Sequence, residues 1–229
     1  RILNDANAAA FAEHATRGFD NESLALVTLG TGVGCGLVIA GSPCGGDHGC
    51  AGELGHIAVD FSDQALPCTC GSRGHLETYA GAAGVMSRLR TRLELSDARS
   101  SLRDPDATPR DLADAANSGC SISLGVIDET AEYLGRAIGM LAQCVDPKCV
   151  VIGGAMNFGG DELPAGARFL KAIRESVRAT TLVQVGGNLE VEFARQGPQA
   201  GRLGAALVAQ QLSQVSANIR NSGESRNAN

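Results

Sequence analysis

Apolar positions in this chain fall into short continuous runs and longer helical stripes, punctuated by glycine and proline. Residues 24–29 and 35–40 are β-prone runs joined by Gly30-Thr31-Gly32-Val33-Gly34, which reads as a glycine-rich hairpin. Residues 149–152 are fully apolar and run into Gly153-Gly154, as expected of a strand in the buried middle of a parallel or mixed sheet. A further strand is expected over 188–194. Residues 123–145 give the clearest helix. Ile127, Leu134 and Leu141 repeat along it, as do Ala131, Ile138 and Val145, and Asp146-Pro147 ends the stripe. Helices are also expected over the alanine-rich 4–16, capped by Asn4 or Asp5, and over 78–93, 111–117, 164–178 and 201–211. Residues 41–76 and 94–110 read as irregular. From Ser213 onward the chain is rich in Ser, Asn and Arg, the composition of a disordered tail. With no internal repeat, the order of elements is α/β.

Composition narrows the class. At 229 residues, 44% hydrophobic and 19% charged, the chain can bury a substantial core in one large domain or two small ones. Aromatics make up 3% with no Trp, so Ala, Val, Leu and Ile must fill that core. The net charge of -6, without a basic run, argues against a nucleic-acid footprint or an anionic membrane surface. No apolar run approaches the ~20 residues of a bilayer span. Eight cysteines without a visible secretion signal point to reduced thiols and metal ligands, and to the cytoplasm.

The candidate chemistry concentrates between Gly52 and Glu77. Gly52-Glu53-Leu54-Gly55-His56 is followed by Cys68-Thr69-Cys70-Gly71-Ser72-Arg73-Gly74-His75-Leu76-Glu77. His56, Cys68, Cys70 and His75 form a two-sulfur, two-nitrogen set that would close a zinc tetrahedron and make the metal structural; the alternative is free thiols and loop histidines. Cys44, His48 and Cys50 are a weaker grouping, read as an incidental loop. In the glycine hairpin, bare amides and the Thr31 hydroxyl suit a phosphate, although glycine also serves such a turn for backbone reasons alone. The spacing matches neither a dinucleotide fingerprint nor a P-loop. Asp5 at a helix start reads either as an ordinary cap or as a general base, and Glu53 and Glu77 as solvated acids or as acceptors for a polyhydroxylated ligand.

Taken in order, these segments resemble the ROK family (repressors, open reading frames, sugar kinases), and within it the bacterial glucokinases. The resemblance rests on Asn4-Asp5-Ala6-Asn7-Ala8-Ala9, the hairpin of residues 29–38, Gly52-Glu53-Leu54-Gly55-His56, Cys68-x-Cys70-Gly71-x-x-Gly74, Leu76-Glu77 and Val151-Ile152-Gly153-Gly154. It implies an actin-like, ribonuclease-H-like ATPase fold and ATP-dependent phosphorylation of a hexose, most simply glucose. Fructose, N-acetylglucosamine or N-acetylmannosamine kinases, or a sugar-sensing transcriptional repressor, are the alternatives. Asp5 then matches the base, and Asn4, Glu53, His56 and Glu77 the other sugar contacts. Thr31 and Gly32 match the ATP phosphate loop, and Gly153 and Gly154 the adenosine side. Magnesium and a structural zinc on His56, Cys68, Cys70 and His75 complete the set, with His75 standing where the family has a third cysteine. A homodimer is implied, with no membrane or nucleic-acid partner. The family's Asp-x-Gly-Gly-Thr phosphate loop does not occur here. The expectation is a nearly complete large lobe over 10–200, small-lobe and hinge remnants at 1–9 and 201–212, a tail over 213–229, and poor turnover by this chain alone.

Overall fold

The computed structural model describes residues 4–97 and 100–224. Helix α1 (Asp5–Thr16) leads into the strands β1 (Leu24–Leu29), β2 (Val33–Ile39) and β3 (Ser42–Cys44). After a long loop come α2 (Leu76–Ala80), α3 (Ala82–Glu94), α4 (Pro109–Asn117) and α5 (Ser121–Val145). The chain then runs through β4 (Cys149–Gly154), α6 (Pro164–Thr180), α7 (Val183–Asn188), β5 (Glu190–Phe193) and α8 (Ala200–Glu224).

The strands form one sheet in the order β3-β2-β1-β4-β5. β2 is antiparallel to β1 and β3, whereas β1, β4 and β5 run parallel. Because side chains alternate across a strand, the apolar runs of β1 and β4 feed two cores. Leu24, Leu26, Cys149 and Val151 pack with Ala10 and Phe11 of α1 and with Leu207 and Val208 of α8. Ala25, Val27, Leu29, Val150 and Ile152 pack on the other face with Ile127, Leu134 and Ile138 of α5 and Phe169 and Ile173 of α6. The result is a three-layer α/β sandwich. The repeating apolar positions of 123–145 are buried, except Val145 at the helix end, which is half-buried. No described helix is long and apolar enough to cross a membrane.

Two expectations need correction. Residues 78–93 are not one helix: the chain breaks at Gly81, between α2 and α3. The break lets the hairpin approach. A Cβ on Gly81 would lie 3.0 Å from the Thr31 carbonyl oxygen, and the Ala82 amide donates to the Gly30 carbonyl at 3.0 Å. α8 does not stop near Gln211 but runs to Glu224, past the expected start of the tail at Ser213. Between Gly204 and Gly223 the sequence has neither glycine nor proline, so nothing local halts the helix. Residues 225–229 of the expected tail lie outside the described residues. Separately, 183–188 forms α7, too short to announce itself by periodicity.

The start of α1 is pressed onto the sheet. A Cβ on Gly36 would sit 2.0 Å from the Ala6 carbonyl oxygen, and the Asn7 side chain accepts from the Leu37 amide at 2.8 Å. Gly36→Ala should therefore push the N-terminus of α1 off β2. We expect a loss of about 1–3 kcal/mol, as for overpacked interiors, read as a lower urea midpoint at an unchanged slope. An unaltered midpoint would show that the helix start is not tightly seated.

Candidate functional site

Each candidate side chain is placed by a local device. Asn4 caps α1, accepting from the Ala6 amide at 2.9 Å and the Asn7 amide at 3.2 Å. Its side-chain amide nitrogen takes no part in the cap. Asp5, the first helical residue, is exposed and accepts from the Ala6 amide at 2.8 Å. The helix dipole favours a carboxylate there. In Gly52-Glu53-Leu54-Gly55-His56, both glycines lie against β2. Cβ atoms there would meet the Cys35 carbonyl oxygen at 2.6 Å and the Val33 carbonyl oxygen at 2.3 Å. Leu54 is buried and anchors the turn, leaving Glu53 and His56 exposed. Burial pushes the Cys35 thiol up to about 12, and the neighbouring Glu53 carboxylate acts in the same direction.

A cleft of about 1030 Å³ collects Asn4, Asp5, Glu53, Gly153 and Gly154. Its walls also include Thr28, Asn157 and the 194–202 segment, none of which belongs to a motif visible in the sequence. A second cleft, of about 440 Å³, is lined by residues 28–34, Glu77, Gly154 and Ala155, and so holds Thr31 and Gly32. The two share Thr28, Gly34, Gly154 and Ala155. Glu77 lies on the hairpin side, its carboxylate accepting from the Val33 amide at 3.1 Å. A Cβ on Gly32 would lie 2.2 Å from a Glu77 carboxylate oxygen, so a larger residue there would displace that carboxylate. Glu77 thus braces the glycine loop from below. His56 lines neither cleft.

His56 instead joins the cysteine pair. Antiparallel bridges Ala58↔His75 and Pro67↔Arg73, with the tight turn closed by Gly71 N–H to the Cys68 carbonyl at 3.0 Å, fold residues 57–76 back on themselves. Gly74 (φ 75°) and Gly71 (φ 95°) take the left-handed geometry that this needs. The potential ligand atoms of His56, Cys68, Cys70 and His75 all lie within 4.8 Å of one another. Cys68 Sγ is 3.8 Å from His56 Nδ1, and Cys70 Sγ is 3.2 Å from His75 Nδ1. Zinc bond lengths at the tetrahedral angle put sulfur and nitrogen about 3.6 Å apart, so the residues fit that metal. Burial raises the Cys68 thiol, but hydrogen bonds from Cys70, His56 and His75 outweigh it and bring it down to about 6, toward the thiolate a metal needs. Tyr79 ties the loop down from α2, donating to Asp60 at 2.7 Å and accepting from the Leu66 amide at 2.9 Å. Cys44, His48 and Cys50 do not converge. Among the described residues the other ligand-type cluster is Cys149, Glu190 and Glu192, where Glu192 is already paired with Arg17 and Arg195.

Comparison with known proteins bears on the family and the fold. The ROK family profile matches residues 1–212. A glucokinase of Halalkalibacterium halodurans is 38% identical over 216 residues, covering 92% of this chain and 63% of that protein. Among solved structures, a ROK family glucokinase from Streptomyces griseus in complex with glucose and AMPPNP superposes with a TM-score of 0.73 at 30% identity. That match covers 92% of this chain and 68% of the other. A ROK family transcriptional regulator, a homologue of the E. coli MLC protein, gives a TM-score of 0.78 at 29% identity, over 91% of this chain and 51% of the other. The chain therefore spans about two thirds of the length of such glucokinases. The expected actin-like ATPase fold stands.

Proposed function

This chain belongs to the ROK family, and from that we propose that it is the larger part of an ATP-dependent hexose kinase. The reaction is phosphorylation of glucose to glucose 6-phosphate, with Asp5 as the base. The observation that carries this is the 1030 Å³ cleft, which joins Asp5, Asn4 and Glu53 to Gly153-Gly154 in one continuous space. A sensor has no need of an exposed carboxylate at that point. Asp5 takes the proton of the attacking hydroxyl. The free amide of Asn4 and the carboxylate of Glu53 orient the ring hydroxyls. Thr31 and the bare amides around Gly32 face the phosphates, held in shape by Glu77 beneath, and Gly153-Gly154 leave room for the adenosine. Magnesium on the nucleotide, when bound, neutralises the charge of the transferring group. His56 ties the Glu53 turn to the proposed zinc, so the metal fixes sugar-site geometry without entering the chemistry. The composition fits a cytoplasmic enzyme, and the family resemblance a homodimer.

The similarity to a transcriptional regulator supports a second reading, a sugar sensor on the same fold. Hexose identity is tested by calorimetric titration of glucose, fructose, N-acetylglucosamine and N-acetylmannosamine into the 229-residue chain. Glucose should bind at least about tenfold more tightly than the others, the discrimination expected of hydrogen-bonded hydroxyls. Tighter binding of an N-acetylated hexose would move the assignment to that sugar.

A further inference from the structure

Glu13 is the only buried carboxylate among the described residues. Its side chain is 0% exposed and that of its partner Arg17 is 2%, the two lying 3.1 Å apart one helical turn along α1. A buried charge is costly unless matched, and this one is matched in a particular direction. One Glu13 oxygen accepts from the Gln196 backbone amide at 2.5 Å. Gln196 Nε2 donates to Thr16 Oγ1 at 3.3 Å. Arg17 pairs with Glu192 and reaches the Phe193 carbonyl at 3.5 Å. All these bonds run from α1 to the end of β5 and the loop that joins it to α8. That loop and the first residues of α8, together Ala194 to Gly201, form a wall of the large cleft.

The opposite end of the same helix carries Asp5. Eight residues of α-helix separate the two carboxylates by about 12 Å along the axis. A Cβ on Gly201, in the first turn of α8, would lie 3.9 Å from the Asp5 carbonyl oxygen. α1 therefore spans the cleft, with Asp5 at one end and a clamp on the 194–201 wall at the other. We propose that Glu13 is a positioning residue for the phosphoryl donor, its buried carboxylate holding the 194–201 wall in register with Asp5. This rests on the kinase reading above for the identity of the ligand, though not for the clamp itself.

The test compares wild-type chain with Glu13→Gln, and with Thr16→Val as a milder variant should the first not fold. Hydrogen exchange over 194–201 and the dissociation constants of ADP and of glucose are measured on each. For Glu13→Gln the expectation is exchange at least about tenfold faster at Gln196 and ADP binding about tenfold weaker, a cost in keeping with misplacement by a fraction of an ångström. Glucose affinity should stay within about twofold. Thr16→Val should move exchange and ADP binding the same way by about twofold. Equal losses for ADP and glucose, or unchanged exchange over 194–201, would overturn the proposal and leave Glu13 merely structural. If the wild-type chain binds no ADP, the kinase reading falls, and exchange at Gln196 alone decides whether the clamp exists.

Discussion

Asp5→Asn should cut hexose phosphorylation by the gene's full-length product about 10²- to 10⁴-fold, the usual worth of a general base. Asparagine can keep the short bond to the Ala6 amide and remains acceptable at a helix start, so folding should be unaffected. It removes only the ability to take a proton. Sugar affinity should change by no more than a few-fold, because hydroxyls can still bond to the amide. The loss should thus appear in kcat with KM nearly constant, as expected when a group acts in the transition state. A variant with wild-type kcat would remove Asp5 from the chemistry and return it to the role of a charged residue at a helix N-terminus.

Cys70→Ser should have the next largest effect. The purified chain should carry about one zinc, as a closed four-ligand site holds it; less than about half an equivalent would count against the site. Losing a ligand should weaken zinc by more than the about 10- to 100-fold that follows loss of an outer-shell partner. The 57–76 loop should then be held by its backbone bridges and by Tyr79, whose bonds to Asp60 and Leu66 are independent of the metal. Since His56 sits at both the cluster and the Glu53 turn, hexose binding should fall with zinc content. Cobalt substitution gives the readout: a tetrahedral spectrum in the wild-type chain, absent in Cys70→Ser. Full hexose affinity in zinc-free protein would separate the metal from the sugar site.

Much of this arrangement is legible in the amino-acid sequence alone. Residues 149–152 read as a doubly buried strand because an unbroken apolar run has few other solutions, and β4 lies there. The stripe through Ile127, Leu134 and Leu141 marks α5 almost to its ends. The convergence of His56 with Cys68, Cys70 and His75 also follows from the sequence, since glycines at 71 and 74 supply the turns that such spacing requires. Other features depend on distant neighbours. The break at Gly81 exists because the Thr31 and Gly32 backbone lies against it, and no local pattern encodes that contact. α8 outruns its expected end because polar helix formers resemble tail residues in composition. Glu77 matches a sugar contact by its motif, yet its carboxylate meets the Val33 amide across 44 positions of sequence. Asn7, within the matched motif but without a role there, and Glu13, outside it, carry a signal of their own. A polar side chain amid buried alanines needs a partner, and both find one on an element that lines or supports the cleft.

On the kinase reading, the cleft beside Asp5 transfers phosphate from ATP to a hexose. The most direct measurement incubates the full-length gene product with glucose, ATP and magnesium and follows glucose 6-phosphate and ADP together. The kinase reading predicts equimolar formation of the two, dependent on glucose and slowed about 10²- to 10⁴-fold in Asp5→Asn. Tight glucose binding with no glucose 6-phosphate formed would contradict it and make this cleft the sugar-sensing site of a regulator.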